Sequence, residues 1–440
     1  MQLSANVFAS RRKKLLESME EGSAMLLFGA KHVLRNGDAE YPYRQDSDLW
    51  YLTGWKAPES ALLLVPGAEE ESVLFVQPKN PEMEIWTGIR PGTQGAVAEF
   101  GVDAAYAWET LQTALTSRLQ GIQTLYFSVG LDSERDALVM GAIRRARRAV
   151  RANHKCLPDA FIHPGRLVHE MRLRKSPEEV VLLKEAARIT GEAHRGAMEM
   201  AKEGLNEFHL HAFIDYTFRK HGGNGPGYTS IVGAGNNACI LHYIENDKPL
   251  QSGDLVLIDA GCELENYCAD VTRTFPVSGK FSAEQRAVYE VVLRANEAVI
   301  QLVRKGTPFK ALQECCIRVL TEGLVELGLL HGEVEELIEA KAHRPFYMHG
   351  VSHYLGMDVH DVGRYSADGE SRPLEEGMVL TVEPGIYISP DNGDVPEKWR
   401  GIGIRIEDDV LVGSDGPVNL TEGIPKTVEA VEEACSSTAS

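Results

Sequence analysis

No stretch of this chain approaches the roughly 20 consecutive apolar residues needed to cross a bilayer. Its start, Met1-Gln2-Leu3-Ser4-Ala5-Asn6, lacks the basic segment and apolar core of an export signal. Cysteine is scarce, seven in 440 residues, an odd number with no C-x-x-C pair. That argues against a disulfide framework or a zinc knuckle, and a reducing cytoplasm is the expected setting. Positive charge is also short. The net charge of -19 disfavours nucleic acid, whose phosphates would be repelled. One stripe runs against that balance: Arg144, Arg148, Arg151 and Lys155 on an expected helix, either a solvated or subunit-contacting face or a nucleic-acid patch. No H-E-x-x-H is present. The glycines from Gly222 to Gly227 and from Gly233 to Gly235 are not followed by Lys-Ser/Thr, so a P-loop is not expected. They suit turns that let a substrate backbone approach.

At roughly 100–200 residues per domain, two or three domains are expected. The fold class read from the pattern is α/β (α+β). Residues 1–172 form a mixed α/β unit with short apolar strands, Ser23 to Phe28 and Ala61 to Val65, and helical stretches at 103–120 and 132–151. A restart follows at Ser176-Pro177-Glu178-Glu179, where Ser176 caps a helix, Pro177 takes its first position and Glu179 completes a capping box. Leu182, Leu183, Ala186, Ile189, Ala193 and Ala197 then recur at helical spacing, and Gly204 is a natural stop. This places a second domain at 173–440. Its tail, Ser436 to Ser440, is small and polar and reads as disordered.

The second domain carries an internal echo. Gly253 to Gly261 and Gly377 to Gly385 each run from a glycine through five mostly apolar residues to an acid, Asp259 or Glu383, with a glycine two places further on. Two such half-repeats can pack about a pseudo-twofold axis with the acids at the centre; a chance match is the alternative. Asp259 ends an apolar run, and Asp270 lies in a second short stretch beyond a plausible turn at Glu263-Leu264-Glu265-Asn266. Folding about the Leu264–Glu265 bond sets Asp259 opposite Asp270 on one face. A cation would relieve their repulsion; otherwise one aspartate sits exposed in the turn. Downstream, His349, His353 and His360 fall within twelve residues beside glycines, which favours function over three satisfied structural imidazoles. Glu407 and Arg405 share parity in an expected strand, Gly403 to Val410. The set Asp259, Asp270, His353, Glu383 and Glu407 suits hard divalent ions such as Mn²⁺, and five such ligands can hold two ions about 3.5–4 Å apart.

This order, with the eleven-residue step from Asp259 to Asp270, resembles the metal site of the pita-bread metallopeptidases, the family of Xaa-Pro aminopeptidases, prolidases and methionine aminopeptidases. The contexts agree: Ile258-Asp259-Ala260-Gly261, Asp270-Val271-Thr272-Arg273-Thr274-Phe275, His349-Gly350-Val351-Ser352-His353, Val382-Glu383-Pro384-Gly385 and Arg405-Ile406-Glu407-Asp408. The run from Tyr41 to Gly54 and Ile85-Trp86-Thr87-Gly88 are similar to the amino-terminal domain of bacterial aminopeptidase P, which methionine aminopeptidases lack. Creatinases share the fold without the full metal set.

The resemblance covers nearly the whole chain. It implies an amino-terminal domain that makes oligomer contacts and a catalytic pita-bread domain with pseudo-twofold half-repeats. It also implies a dimanganese exopeptidase that uses a metal-bridging hydroxide to release the first residue of a peptide when proline is second. By carry-over, Asp259 and Glu407 bridge both ions, Asp270 chelates one, and His353 and Glu383 hold the other. Glu383 also accepts the proton of the attacking water. His242, His349 and His360 line the pocket, with His360 steadying the tetrahedral intermediate, and Arg405 and Tyr387 are further active-site groups. A cytoplasmic homotetramer is implied, in which Trp86 and Asp38 reach a neighbouring subunit's site. The rivals are a prolidase, confined to dipeptides, and a non-catalytic peptide-binding protein on the same fold, whose members usually lose ligands that are all present here.

Overall fold

The computed structural model describes residues 2–436, so the tail at 437–440 lies outside the described residues. The chain divides into two compact units, Met1–Arg172 and Leu173–Ser440. Among the described residues no helix is long and apolar enough to cross a membrane.

The first unit is built on one six-stranded mixed sheet. Its order is Ala104–Ala107, Ser72–Val76, Ala61–Leu64, Ser23–Phe28, Thr124–Tyr126, Ala160–Ile162. Three neighbouring strands in it are buried along their whole length, the mark of a sheet covered on both faces. The expected helix at 103–120 forms only in its second half, Leu111–Arg118. Ala104–Ala107 instead pairs in parallel with Ser72–Val76 as the sheet's edge, a tertiary ladder that overrides local propensity. The helix Ser133–Asn153 starts at Asp132, whose carboxylate accepts from the Glu134 and Arg135 N–H groups. It ends at His154 in a left-handed conformation (φ 54°), so Lys155 leaves the basic stripe, while Arg144, Arg148 and Arg151 stay exposed on the helix. Asp38 and Trp86 both lie exposed on this unit. Trp86 sits on the short helix Pro81–Thr87 and keeps 84% of its surface open, beside the equally open Ile85 and Ile89.

The second unit opens with the helix Pro177–Met200. Its capping box is formed: the Glu179 N–H donates to the Ser176 hydroxyl and the Ser176 N–H to the Glu179 carboxylate. Leu182, Leu183, Ala186, Ile189, Ala193 and Ala197 are its buried face. The helix stops at Met200, because Ala201 is already extended, and Gly204 (φ 89°) lies in the turn beyond. This helix packs on Glu207–Lys220, and Ala283–Ile300 packs on Phe309–Glu326, one helix pair to each half-repeat.

The half-repeats form two antiparallel hairpins. In the first, Leu255–Asp259 runs between Ile231–Ala234 and Thr272–Pro276. The pairing differs from the sequence expectation by two residues. Asp259 faces Thr272, not Asp270, because the turn is Glu265-Asn266, both left-handed (φ 48° and 63°), with Leu264 facing Tyr267. A shift of two preserves side-chain parity, so Asp270 stays on the same face as Asp259, one diagonal step away. In the second hairpin Val382 faces Asp408 and Gly385 faces Arg405, so Glu383 faces Glu407 across the gap. The single strand expected from Gly403 to Val410 is broken there into Gly403–Arg405 and Asp408–Val412. The two hairpins are stitched together where the Glu407 N–H donates to the Thr272 carbonyl (3.1 Å) and the Arg405 N–H to the Thr274 hydroxyl (3.2 Å).

Candidate active site

Asp259, Asp270, His353, Glu383 and Glu407 all line one cavity of about 510 Å³, together with His242, His349, His360 and Arg405. The acids arrive from strand ends. Asp259 closes the Leu255–Asp259 strand, and Glu383 and Glu407 stand in the break between the paired strands of the second hairpin. Asp270 precedes Thr272–Pro276. It comes close to Asp259 because Gly261 has no side chain: a Cβ there would run into the Ala269 carbonyl. His242 comes from the segment after Gly235–Cys239, and His349, His353 and His360 sit on the chain before Val379–Val382. That stretch is pinned at its base by a fully buried ion pair, Lys175 Nζ to Asp361 Oδ2 at 2.9 Å, next in sequence to His360.

Four carboxylates in one partly dry cavity repel, and the protonation equilibria register it. Burial, then the charges of Asp270 and its neighbours, hold the Glu407 carboxyl well above the usual range. Burial lifts Glu383 to about 7, although His353 and Arg405 oppose the rise. Burial also raises Asp270. Burial works against a charged His353, but its hydrogen bond to Asp270 (Nε2 to Oδ2, 3.3 Å) and that residue's charge outweigh burial and raise it to about 9. A proton therefore sits where positive charge is demanded.

The donor set fits a divalent cation. Ligand atoms of Asp270, His353 and Glu407 lie within 4.8 Å of one another. The Nε2 of His353 is 3.6 Å from Glu383 Oε1, while its Nδ1 lies 3.0 Å from the Tyr354 carbonyl. An Nδ1–H donated to that carbonyl fixes the tautomer and frees Nε2 to be a ligand. The carboxylates are held from behind as well. The Thr272 hydroxyl donates to Glu407 Oε2 (2.6 Å) and accepts from Arg405 Nε (3.0 Å). Asp409, buried, accepts the Asp270 N–H at 3.1 Å. Arg405 Nη2 reaches Asp259 Oδ2 at 2.6 Å, and the Tyr228 hydroxyl lies between Asp259 and Asp270.

Arg405 also ties in the histidine wall. Its Nη1 donates to the Tyr387 hydroxyl (3.0 Å), which lies 2.9 Å from His349 Nε2. Tyr387 is buried and touches Arg405 and His349 instead of facing the cavity. Burial, then Arg405, push His349 down to about 4, so its ring is neutral at neutral pH. Burial and the neighbouring His353 lower His360 too, and the two rings stand perpendicular with centroids 4.5 Å apart. His242 lines the cavity and remains solvent-exposed. Sequence reasoning passed over Tyr228, Asp409 and the Lys175–Asp361 pair. Tyr228 follows directly on the glycine run, but nothing in the local pattern shows where a tyrosine hydroxyl will end up.

Known proteins match this architecture along its length. Residues 181–414 fit the model of metallopeptidase family M24, and residues 8–126 that of the aminopeptidase P N-terminal domain. The Xaa-Pro aminopeptidase of Escherichia coli K12 is 47% identical over 433 residues, covering 98% of each chain. Among solved structures, the Pseudomonas aeruginosa aminopeptidase PepP superposes with a TM-score of 0.96 at 46% identity, covering 99% of this chain and 98% of that one. A Zn-substituted E. coli aminopeptidase P in complex with product gives 0.95 at 46% identity, covering 99% of both chains. With its candidate ligand side chains gathered between two half-repeat hairpins and these matches in both units, the chain belongs to metallopeptidase family M24, in the branch that carries an aminopeptidase P N-terminal domain.

Proposed function

We propose that this protein is a dinuclear-metal aminopeptidase that removes the first residue of peptides whose second residue is proline. The observation that carries this reading is the meeting of five ligand side chains, distant in sequence, on one cavity large enough to admit a peptide end. The relatives, named as Xaa-Pro aminopeptidases and aminopeptidase P, support the substrate class.

Asp259, Asp270, His353, Glu383 and Glu407 would together hold two ions. When bound, the ions supply the nucleophile and a Lewis acid for the scissile carbonyl. The donors are mostly hard oxygens with one imidazole, which favours Mn²⁺. The chain's own groups do the rest. Glu383, on the cavity wall with its carboxylate 3.6 Å from His353 Nε2, takes the proton of the attacking water and passes it to the leaving proline nitrogen. His360 and His242, on the cavity wall, donate to the developing oxyanion. Neutral His349, held by the Arg405–Tyr387 chain, orients the substrate backbone.

We further propose a cytoplasmic homotetramer that needs neither nucleic acid nor membrane. The open apolar surface of Ile85, Trp86 and Ile89 is the kind that marks a subunit contact. From there Trp86 and Asp38 would complete a neighbour's site.

The test is cleavage of Arg-Pro-Pro and longer peptides set against the dipeptide Gly-Pro, with Mn²⁺ supplied. Release of the first residue from the longer peptides is expected. Activity confined to Gly-Pro would make the protein a prolidase, and no cleavage of either would leave only peptide binding.

A further inference from the structure

One wall of the cavity is a single segment of chain, residues 235–248, which contributes Leu241, His242 and Ile244. It has little regular structure, only a 3-10 turn at Gly235–Cys239. Such a stretch would ordinarily be mobile. Here it is tied to one side chain. Glu207, the first residue of the helix Glu207–Lys220, is fully buried. Its Oε1 accepts from the Ala234 N–H (2.8 Å) and the Asn237 side-chain amide (3.0 Å). Its Oε2 accepts from the Tyr243 hydroxyl (2.8 Å) and the Lys248 N–H (2.9 Å). The two ends and the interior of the segment thus converge on one carboxylate.

Among the described residues no ion pair is made by Glu207; a buried carboxylate is costly unless hydrogen bonds satisfy it, and four uncharged donors do so here. Neighbouring contacts repeat the pattern. The Glu207 N–H donates to the Lys248 carbonyl (2.9 Å). Buried Asn246 accepts the Val232 N–H and donates to the Ser230 carbonyl, both at 2.9 Å. Tyr243, adjacent to His242, packs its ring with Ile231, Leu257 and Tyr387 in a small apolar cluster beneath the cavity.

We propose that Glu207 is a positioning residue for His242. It holds the 235–248 segment as a fixed wall and so sets where His242 meets the bound peptide. The inference rests on the aminopeptidase reading, because it is measured by cleavage of a proline peptide. In Glu207→Gln an amide NH₂ replaces one acceptor oxygen and confronts donors with a donor.

The experiment is steady-state cleavage of Arg-Pro-Pro by the Mn²⁺-loaded full chain. Glu207→Gln and Tyr243→Phe are each made in the wild-type and in the His242→Ala background. Glu207→Gln is expected to lower kcat/KM about tenfold or more in the wild-type background, since small misplacements of a substrate-contacting group are expensive. In the His242→Ala background the same change should cost less than about twofold, the signature of coupled residues. Tyr243→Phe, which removes one donor and preserves the packing, should show a smaller loss with the same dependence on His242. Should Glu207→Gln fail to fold, Tyr243→Phe alone carries the comparison. Equal losses in both backgrounds, or none in either, would overturn the positioning role while leaving the peptidase reading intact. A wild-type enzyme inert on Arg-Pro-Pro would overturn the peptidase reading and this inference with it.

Discussion

At the scale of single residues, chemistry is concentrated in groups whose surroundings oppose their ordinary state. Glu383 is the sharpest case, a carboxyl held near neutrality by burial against the charges of His353 and Arg405. Glu383→Ala should lower kcat by about 10²–10⁴, the usual worth of a general base, with an unchanged circular dichroism spectrum. Wild-type turnover in that variant would remove Glu383 from the mechanism. A second group carries structure instead. Fully buried Asp408 pairs with Arg273 (2.8 Å) and Lys426 (2.7 Å), and Arg273 also donates to the Glu407 carbonyl at 2.6 Å. Asp408→Asn leaves buried Arg273 and the partly exposed Lys426 short of charge and should destabilise the fold by about 3–5 kcal/mol, read as a fall in thermal midpoint. Glu407 and Asp408 adjoin in sequence, and only their surroundings divide them. The two cations outweigh burial and depress Asp408, whereas Asp270 and burial raise Glu407.

Elements decide how the residues meet. The two hairpins are built alike: Asp259 stands opposite Thr272, and Glu383 opposite Glu407. The half-repeats were legible because a glycine, an apolar run, an acid and a second glycine recur as a pattern. The register was not, because it depends on which two residues accept left-handed backbone, and Glu265 carries no such mark. Parity survived the error, since any even shift leaves Asp259 and Asp270 on one face. Close approach depends on Gly261. Gly261→Ala should force the hairpin apart, costing about 1–3 kcal/mol as an overpacking change and weakening Mn²⁺ binding measured by calorimetry. Unaltered metal affinity would show that the Asp259–Asp270 spacing tolerates a methyl group. The stretch at 103–120 misled for a different reason. Its alanines suit a helix, but the open edge of Ser72–Val76 offered them a ladder.

At the scale of the whole molecule, metal, protons and folding are linked. Above about pH 6.5 the folded, metal-free protein keeps protons that the unfolded chain releases, chiefly on His353 (about 9) and on the raised carboxyls. Stability of the metal-free form must therefore fall as pH rises from 7 towards 9. Buried His194 and His349, both near 4 when folded, bind no protons there, and the small residual protonation of their unfolded imidazoles near pH 7 adds only a minor opposing slope that fades by pH 8. In chelator the thermal midpoint should drop between pH 7 and 8.5, and added Mn²⁺ should reverse the drop by taking the protons' place. A midpoint that rises with pH in chelator would contradict this linkage. Activity should likewise vanish on dialysis against chelator and return with Mn²⁺. Local order along the chain was enough for the capped helices, the apolar strands, the order and type of the acids and imidazoles, and the echo that pairs two of them. These depend on near neighbours along the chain. Tertiary structure alone decided the hairpin register, the break that sets Glu383 across from Glu407, the seat of Tyr228, and the burial of Glu207 beneath the His242 wall. Each of those depends on partners tens to hundreds of residues away, whose positions no local pattern encodes.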